Sequence, residues 1–270
     1  MLEENISSAF LRDNAAKHFL CLSYKAARPG QAPSVHFASC FVVKIDEHWF
    51  LCTAGHVVNG LKAALASGIT LTEFSLQDKL AGNDHPFGVP YPFNAEDWMV
   101  IDDDAIGVDF AATQLSALLV DNLRAGGVKA IEETAWGPPP LDLYRPWLLA
   151  GIPSETYSKV GNKHIVKLTI MPLLPSAAPV TSASTNTAAK VFGALVEQPD
   201  LDGASVDDID GMSGAPVFGI KEVDDGLRYW LIGVQSSWYP TSRIVAFCPI
   251  LPILDALKIA IRRVQDGNAG

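Results

Sequence analysis

Near its C-terminal end the chain reads Asp210-Gly211-Met212-Ser213-Gly214-Ala215-Pro216-Val217, a serine between two glycines followed by a proline and a strand-like run. Glycine adopts backbone angles closed to other residues, so the N–H groups of Gly211 and Ser213 can converge on one point. This Gly-x-Ser-Gly-x-Pro pattern precedes a strand, whereas the Gly-x-Ser-x-Gly elbow of α/β-hydrolases precedes a helix. Alone, the pattern is equally compatible with an ordinary turn.

Two upstream segments carry the other groups that a serine nucleophile requires. The segment Phe50-Leu51-Cys52-Thr53-Ala54-Gly55-His56-Val57-Val58 puts a histidine after an apolar run and a glycine turn. The segment Gly107-Val108-Asp109-Phe110-Ala111-Ala112-Thr113-Gln114-Leu115 puts a carboxylate inside an apolar strand, where it needs a hydrogen bond. A serine hydroxyl needs a nearby base and a third group that orients this base. These segments therefore offer His56 as the base and Asp109 as its partner.

Other titratable residues fit these roles less well. Asp102, Asp103 and Asp104 are rival carboxylates, but three in a row are typical of a solvated turn. The remaining histidines are interpreted as core or loop residues: His18, His36, His48, His85 and His164. The sequence contains no His-Glu-x-x-His pattern, so no metal site is predicted, and no cofactor is expected.

Composition narrows the class of protein and of partner. Hydrophobic residues make up 49% of the 270 residues and charged ones 19%, which favours a packed core over disorder. The formal net charge is -10 and lysines and arginines do not cluster, so nucleic acid and anionic membranes are poor partners. No apolar run is long enough to span a bilayer.

Two further features bear on the compartment. The first six residues are acidic and lack an apolar core, so they do not resemble a secretory signal. The four cysteines lie in apolar, strand-like runs: Cys21, Cys40, Cys52 and Cys248. Buried free thiols of this kind are typical of a reducing compartment. We therefore expect a cytoplasmic protein.

Short strand-like runs dominate both halves of the chain. The first half has six, at residues 19–24, 35–45, 49–53, 69–76, 98–101 and 108–115. The second half also has six, at residues 147–150, 165–171, 191–196, 215–220, 229–234 and 243–249. Helical patterns cover residues 57–66, 115–131 and 253–264.

This order predicts an all-β protein of two lobes. The first lobe comprises residues 1–115 and carries His56 and Asp109, and the second comprises residues 146–270 and carries Ser213. Residues 116–145, which include three consecutive prolines, are predicted to connect them. Many short strands with few helices favour two packed antiparallel barrels, the second ending in a helix.

Taken together, the three segments resemble the Thr-Ala-Ala-His, Asp-x-Ala and Gly-x-Ser-Gly-x-Pro motifs of chymotrypsin/trypsin-like serine proteases. The chain order His, Asp, Ser is that of chymotrypsin and differs from that of subtilisins and α/β-hydrolases. His56 lies 53 residues before Asp109, and Asp109 lies 104 residues before Ser213, which suits members with modest loop insertions. The resemblance spans roughly residues 19–264.

The resemblance implies two six-stranded β-barrels with the active site in the cleft between them. Ser213 would attack a peptide carbonyl, His56 would move the proton, and Asp109 would orient His56. The N–H groups of Gly211 and Ser213 would form the oxyanion hole. Ser236-Ser237-Trp238 resembles the family's Ser-Trp strand, so Ser237, Trp238 and Tyr239 are expected to bind substrate.

The sequence leaves open which substrate side chain the primary pocket prefers. Asp207 stands six residues before Ser213, where trypsins carry the acidic floor of their primary pocket. It would favour Lys or Arg substrates through charge-assisted hydrogen bonds. The alternative is that Asp207 belongs to an acidic surface loop over residues 200–210. Tyr239-Pro240 follows Trp238 where open pockets usually have glycine, so a bulky side chain would narrow the pocket mouth.

Two departures from the pattern separate the chain from digestive members. Met212 replaces the aspartate that pairs with a new N-terminus after zymogen cleavage, so activation of that type is not expected. Cys40 and Cys52 do not reproduce the family's disulfide beside the histidine, since Val57 follows His56. Both features resemble bacterial intracellular trypsin-like peptidases more than secreted enzymes.

Three hypotheses about function follow. The first is a serine endopeptidase that cleaves polypeptides through an acyl-enzyme intermediate. The second is a protease-like peptide-binding or sensor module that is inactive, or is activated by a regulatory protein partner. The third is an esterase of the same fold. A suitable residue occupies each of the three triad positions, which favours the endopeptidase, whereas Met212 keeps the second hypothesis open.

Overall fold

The strands of the first half pair into one antiparallel sheet. We describe a computed structural model that covers residues 14–77, 88–103, 105–161, 163–179, 189–196, 206–224 and 226–267. The strands are β1 (Phe19–Ala27), β2 (Ser34–Ile45), β3 (His48–Thr53), β4 (Thr70–Gln77), β5 (Val89–Pro90), β6 (Met99–Asp103) and β7 (Val108–Gln114). They form a seven-stranded sheet in the order β5-β4-β1-β2-β3-β7-β6. Helix α1 (Gly55–Ala66) follows β3 directly.

The strands of the second half close on themselves. They are β8 (Trp147–Gly151), β11 (Thr169–Ser176), β12 (Val191–Leu195), β13 (Pro216–Val223), β14 (Gly226–Tyr239) and β15 (Ile244–Pro249). A closed barrel of order β11-β12-β15-β14-β13-β8 results. A separate hairpin, β9 (Ser158–Val160) with β10 (Lys163–Ile165), stands between β8 and β11. Helix α3 (Leu251–Gly267) ends the described chain.

The segment between the two groups of strands is attached to both. Helix α2 (Ala117–Ala125) is capped by the Ser116 side chain and buries Leu119 and Leu123 in the core of the first sheet. Ile131 forms a bridge with Val43 of β2, whereas Trp136 forms a bridge with Leu231 of β14. The connector therefore ties the sheet to the barrel instead of spanning open solvent between them.

Three large apolar clusters hold the molecule together. One fills the first sheet and another fills the barrel. The third joins them, because it contains Phe41 and Phe110 of the sheet, Phe218 of the barrel and Leu254 of α3. Phe41, Phe110 and Phe218 are completely buried, and burial of such a side chain contributes about 1.5–3 kcal/mol. The sheet and the barrel thus share an apolar base.

The predicted all-β class, the six-stranded second barrel and the C-terminal helix are confirmed. All six strands predicted in the first half are present, and with the two-residue β5 they form a seven-stranded sheet where a six-stranded barrel was predicted. The predicted helix over residues 115–131 is shorter, because glycines at 126 and 127 end it at Ala125. β14 is longer than the predicted 229–234 and carries the expected substrate strand within it.

The four cysteines are free and buried, as expected. Within the described ranges, no helix is long and apolar enough to cross a membrane. Three sequence-based interpretations lie outside the described residues: the absence of a signal in residues 1–6, the rival carboxylate Asp104 and the role of His85.

Candidate active site

Pairing between neighbouring strands brings His56 to Asp109. β3 ends at Thr53, and Thr53 lies opposite Ala111 in the register of β3 with β7. Asp109, two residues before Ala111, therefore lies beside the start of α1, which contains His56 in its first turn. Helix α1 begins two residues earlier than the predicted 57–66, so His56 belongs to the helix and not to the preceding turn.

The carboxylate of Asp109 accepts two hydrogen bonds from the same residue. The backbone N–H of His56 donates to Oδ1 at 2.9 Å, and Nδ1 of its ring donates to Oδ2 at 2.7 Å. Asp109 is 7% exposed, so these bonds supply the partners that a buried carboxylate needs. A proton on Nδ1 leaves Nε2 with a lone pair, which is the tautomer of a general base.

The electrostatics of His56 agree with this geometry. Burial lowers the pKa of His56, but the hydrogen bond and the charge of Asp109 outweigh burial, and the net pKa lies above the ordinary 6.5. Asp102 raises this pKa further through its charge, whereas the ammonium group of Lys190 lowers it. His56 is therefore an imidazole whose protonated form is stabilised, as a base requires when it takes a proton.

Behind Asp109 lies a cysteine of the barrel whose role the sequence did not reveal. The N–H of Asp109 donates to Sγ of Cys248 at 3.3 Å, and the thiol of Cys248 donates to the carbonyl of Gly107 at 3.5 Å. Burial raises the pKa of the Cys248 thiol, so it stays neutral beside the carboxylate. The barrel thus fixes the backbone of the strand that carries Asp109.

Ser213 lies in a loop that touches the segment before His56. Gly214, with φ of +86°, donates its N–H to the carbonyl of Gln235 at 2.9 Å. A Cβ atom on Gly214 would lie 2.0 Å from Oγ1 of Thr53 and 2.8 Å from the nitrogen of Ala54. Only glycine permits this approach, which packs the serine loop of the barrel against the end of β3.

The hydrogen bond expected between Ser213 and His56 is not formed in this conformation. Across the described ranges, Oγ of Ser213 forms no hydrogen bond, either to His56 or to another residue. Hydrogen bonds of this kind are often long without substrate and tighten when it binds. The structure therefore joins His56 to Asp109 directly and brings the loop of Ser213 to the adjoining backbone.

The two expected oxyanion donors have defined surroundings. Gly211 has φ of +86°, and the N–H of Met212 donates to the carbonyl of Ile209 across this turn at 3.1 Å. The carbonyl of Asp210 accepts from the N–H of Ser154 at 2.7 Å. In a trans peptide the C=O and N–H point in opposite directions, so the N–H of Gly211 faces away from Ser154. Neither this N–H nor that of Ser213 donates to any other described residue.

The residues expected to bind substrate line two facing segments. Asp207 is exposed, and its carbonyl accepts from Nη1 of Arg243 at 3.2 Å. Nε1 of Trp238 donates to Oδ1 of Asp208 at 2.9 Å, so the indole bridges the β14 segment and the segment before Ser213.

The other two expected residues lie further along β14. Oγ of Ser237 accepts from Nζ of Lys190 at 3.3 Å, and the ring of Tyr239 lies 6.4 Å from that of Phe192. Lys190 and Asp208 were not singled out in the sequence, since neither belongs to a motif. Among the described residues, no group of three or more His, Cys, Asp or Glu could hold a metal ion.

Comparison with known proteins places the fold. No protein-family model and no curated protein matches the chain. The solved structure of the scabies mite inactivated protease paralogue S-I1 matches with a TM-score of 0.51 and 14% identity, covering 93% of this chain and 96% of that one. The protease Anisep from Arthrobacter nicotinovorans gives a TM-score of 0.45 and 15% identity, covering 86% and 90%.

A third match is the thermostable serine protease AL20 from an extremophilic microorganism, with a TM-score of 0.42 and 14% identity, covering 87% of this chain and 91% of that one. Identities this low show the fold alone. The match to the scabies mite paralogue and the architecture of a seven-stranded sheet, a closed six-stranded barrel and a C-terminal helix together show a chymotrypsin-like fold.

Proposed function

We propose that this protein is a trypsin-like serine endopeptidase, which hydrolyses peptide bonds through Ser213, His56 and Asp109. The observation that carries the proposal is the double hydrogen bond from His56 to the buried carboxylate of Asp109. This pair of bonds fixes the imidazole in the tautomer whose Nε2 accepts a proton. The backbone just before His56 also packs against Gly214, which follows Ser213.

The reaction follows from these positions. Oγ of Ser213 attacks the scissile carbonyl carbon while Nε2 of His56 takes the hydroxyl proton. The resulting oxyanion accepts hydrogen bonds from the N–H groups of Gly211 and Ser213. His56 then gives the proton to the leaving amine, which departs and leaves an acyl-enzyme. A water molecule loses a proton to His56 and attacks the ester carbonyl, and the bond to Oγ of Ser213 then breaks while His56 returns the proton to Oγ, which releases the acid and restores Ser213.

Met212 supports a mode of activation different from that of digestive relatives. Its side chain is 0% exposed and packs in the barrel core with Ile209 and Val206. An apolar anchor replaces the ion pair with a new N-terminus, so we propose that the loop needs no proteolytic activation. With four free buried thiols, this fits the intracellular, cytoplasmic type of bacterial peptidase.

One observation favours a second candidate function. Because Oγ of Ser213 forms no hydrogen bond with any residue that the structure describes, the chain also suits a peptide-binding or sensor module that is inactive or becomes active with a partner. In that case a regulatory protein would shift the serine loop toward His56. The two candidates share one cleft and one class of ligand, a polypeptide, with Ser237, Trp238 and Tyr239 along its path.

Covalent labelling with a fluorophosphonate probe separates the two. The wild type should react at Ser213, and Ser213→Ala should not react at all, because the probe requires an activated serine. Ser34→Ala, an exposed serine of β2, is the matched control and should react like the wild type. A wild type that stays unlabelled from neutral to alkaline pH, or label retained in Ser213→Ala, would contradict the endopeptidase.

Cleavage of a randomised peptide library then defines the substrate. Mass spectrometry of the products reports whether peptide bonds are cut and which side chain precedes the cut. If Asp207 forms the pocket floor, Lys and Arg should be preferred and Asp207→Asn should remove that preference. Unchanged preference in the variant would assign Asp207 to the acidic surface.

A further inference from the structure

The loop that precedes the nucleophile lacks a charged anchor of its own. Residues 206–213, here called the nucleophile loop, contain Met212 where an ion-paired aspartate would fix its conformation. On its apolar side the loop buries Val206, Ile209 and Met212. Its polar side is held by a residue from a remote part of the chain, Glu155. We propose that Glu155 is a positioning residue that keeps the oxyanion hole assembled, an inference that rests on the proposed endopeptidase function.

The carboxylate of Glu155 grips two consecutive backbone N–H groups of the loop. Oε1 accepts from the N–H of Asp207 at 2.9 Å, and Oε2 accepts from the N–H of Asp208 at 3.1 Å. Both oxygens are thus used, in hydrogen bonds that the negative charge strengthens. A glutamine has one acceptor oxygen and an NH₂ group, so it can replace only one of the two bonds.

The residue beside Glu155 holds the other end of the same loop. The N–H of Ser154 donates to the carbonyl of Asp210 at 2.7 Å. A Cβ atom on Gly211 would lie 2.3 Å from Oγ and 3.3 Å from the backbone nitrogen of Ser154, so Ser154 packs closely against Gly211. Ser154 and Glu155 share one short 3₁₀ helix, Ser154–Thr156. One short element therefore binds the loop on both sides of Ile209 and orients the peptide between Asp210 and Gly211.

Charge alone does not explain why a glutamate stands here. The loop already exposes the carboxylates of Asp207, Asp208 and Asp210, so another negative group is repelled by its neighbours. The two N–H bonds offset this repulsion, and a carboxylate supplies two acceptor oxygens at the spacing of two consecutive N–H groups. The Glu155 carboxylate therefore acts on the loop through its geometry.

The consequence for the reaction concerns the oxyanion donor on Gly211. If the loop loosens, the peptide between Asp210 and Gly211 can rotate and turn the N–H out of the hole. Loss of one such donor lowers kcat about 10²–10³-fold. Removal of Glu155 leaves the Ser154 bond, the hydrogen bonds from Arg243 and Trp238 to Asp207 and Asp208, and the apolar anchors, so a partial loss is expected.

Steady-state kinetics of the full chain test the inference. Glu155→Gln should lower kcat about 10- to 100-fold with KM changed less than about 3-fold, because the loss falls on the transition state. Glu155→Ala should be as severe, and Glu155→Asp should restore part of the rate. Glu222→Gln, an exposed glutamate of β13, is the matched control and should behave like the wild type.

A second readout separates positioning from loss of structure. A peptide boronic acid forms a tetrahedral adduct with serine that uses the oxyanion hole, so its affinity should fall in Glu155→Gln together with kcat. Affinity of an uncleaved substrate peptide, measured on Ser213→Ala with and without Glu155→Gln, should stay the same. Unchanged kcat and boronate affinity, or a rise in KM alone, would overturn the inference.

Failure of the proposed function leaves a distinct signature. If the wild type neither labels nor cleaves, amide hydrogen exchange at Asp207 and Asp208 decides the question. Faster exchange at both amides in Glu155→Gln supports the clamp in an inactive protein, and equal exchange in both proteins overturns it.

Discussion

The two halves of the candidate site are held in position by different means. His56 and Asp109 belong to elements that adjoin within one sheet, and a buried carboxylate joins them through two hydrogen bonds. Ser213 belongs to a loop fixed by glycines with positive φ, by the buried side chain of Met212 and by the remote Glu155. The proposed base, His56, is thus positioned by strand register, whereas the proposed nucleophile, Ser213, depends on contacts with distant parts of the chain.

Neutralising Asp109 should give the largest effect. In Asp109→Asn the amide can donate to Nδ1 and favour the wrong tautomer of His56, so kcat should fall by about 10⁴-fold. Stability should change little by comparison, which circular dichroism and a denaturant titration would check.

Asp102→Asn is the matched control for this change. The exposed carboxylate of Asp102 accepts from the Asn59 side chain and does not contact His56. Its loss should leave kcat within about 3-fold of the wild type. Comparable losses in the two variants would show that charge near His56, and not the Asp109 hydrogen bonds, sets the rate.

The apolar anchor of the nucleophile loop is the next test. Met212→Asp places a carboxylate in the fully buried core around Val206 and Ile209, where the cluster formed by the described residues is apolar. An uncompensated buried charge costs about 3–5 kcal/mol, so the free energy of unfolding should fall by that amount. Met212→Leu, which keeps volume and polarity, should cost less than about 1.5 kcal/mol. A stable, more active Met212→Asp would indicate an ion-pair partner for this position.

The close approach of the two halves can be disturbed at one glycine. Gly214→Ala requires a positive φ and puts a methyl group 2.0 Å from Oγ1 of Thr53, so it should destabilise the fold by about 1–3 kcal/mol. Labelling of Ser213 should slow as well. Gly60→Ala, in the interior of α1 with no neighbour within 4 Å, should be neutral or stabilise by up to about 1 kcal/mol. Equal tolerance of both changes would refute the contact.

Much of the fold follows from sequence periodicity, because strands that pack on one face alternate polar and apolar residues. The six strands predicted in each half form the sheet and the barrel. β5 escaped prediction, since two residues carry no period. The hairpin of β9 and β10 was missed for the same reason, as each of its strands has three residues.

The residues of the candidate site also fall into two groups, those that the sequence predicts and those that it does not. His56, Asp109 and Ser213 stand in local patterns that fit their proposed chemistry, so the sequence alone singles them out. Glu155 and Cys248 do not, because what they contact is fixed by tertiary packing: one meets the backbone 52 residues away, the other 139 residues away. A side chain that bonds to backbone groups belongs to no sequence motif, because nearly every residue type can supply the backbone N–H or C=O group that it contacts.

The smallest expected effect is a shift in the pH dependence of kcat/KM, whose direction tests the proposed role of His56. Below its pKa, His56 is protonated and Nε2 cannot accept from Ser213, so the rate should fall as pH drops through a pKa above 6.5. Asp102 raises this pKa and Lys190 lowers it. Asp102→Asn should therefore move the acidic limb to lower pH, and Lys190→Met should move it to higher pH. Shifts in the same direction, or none, would mean that another group controls the limb.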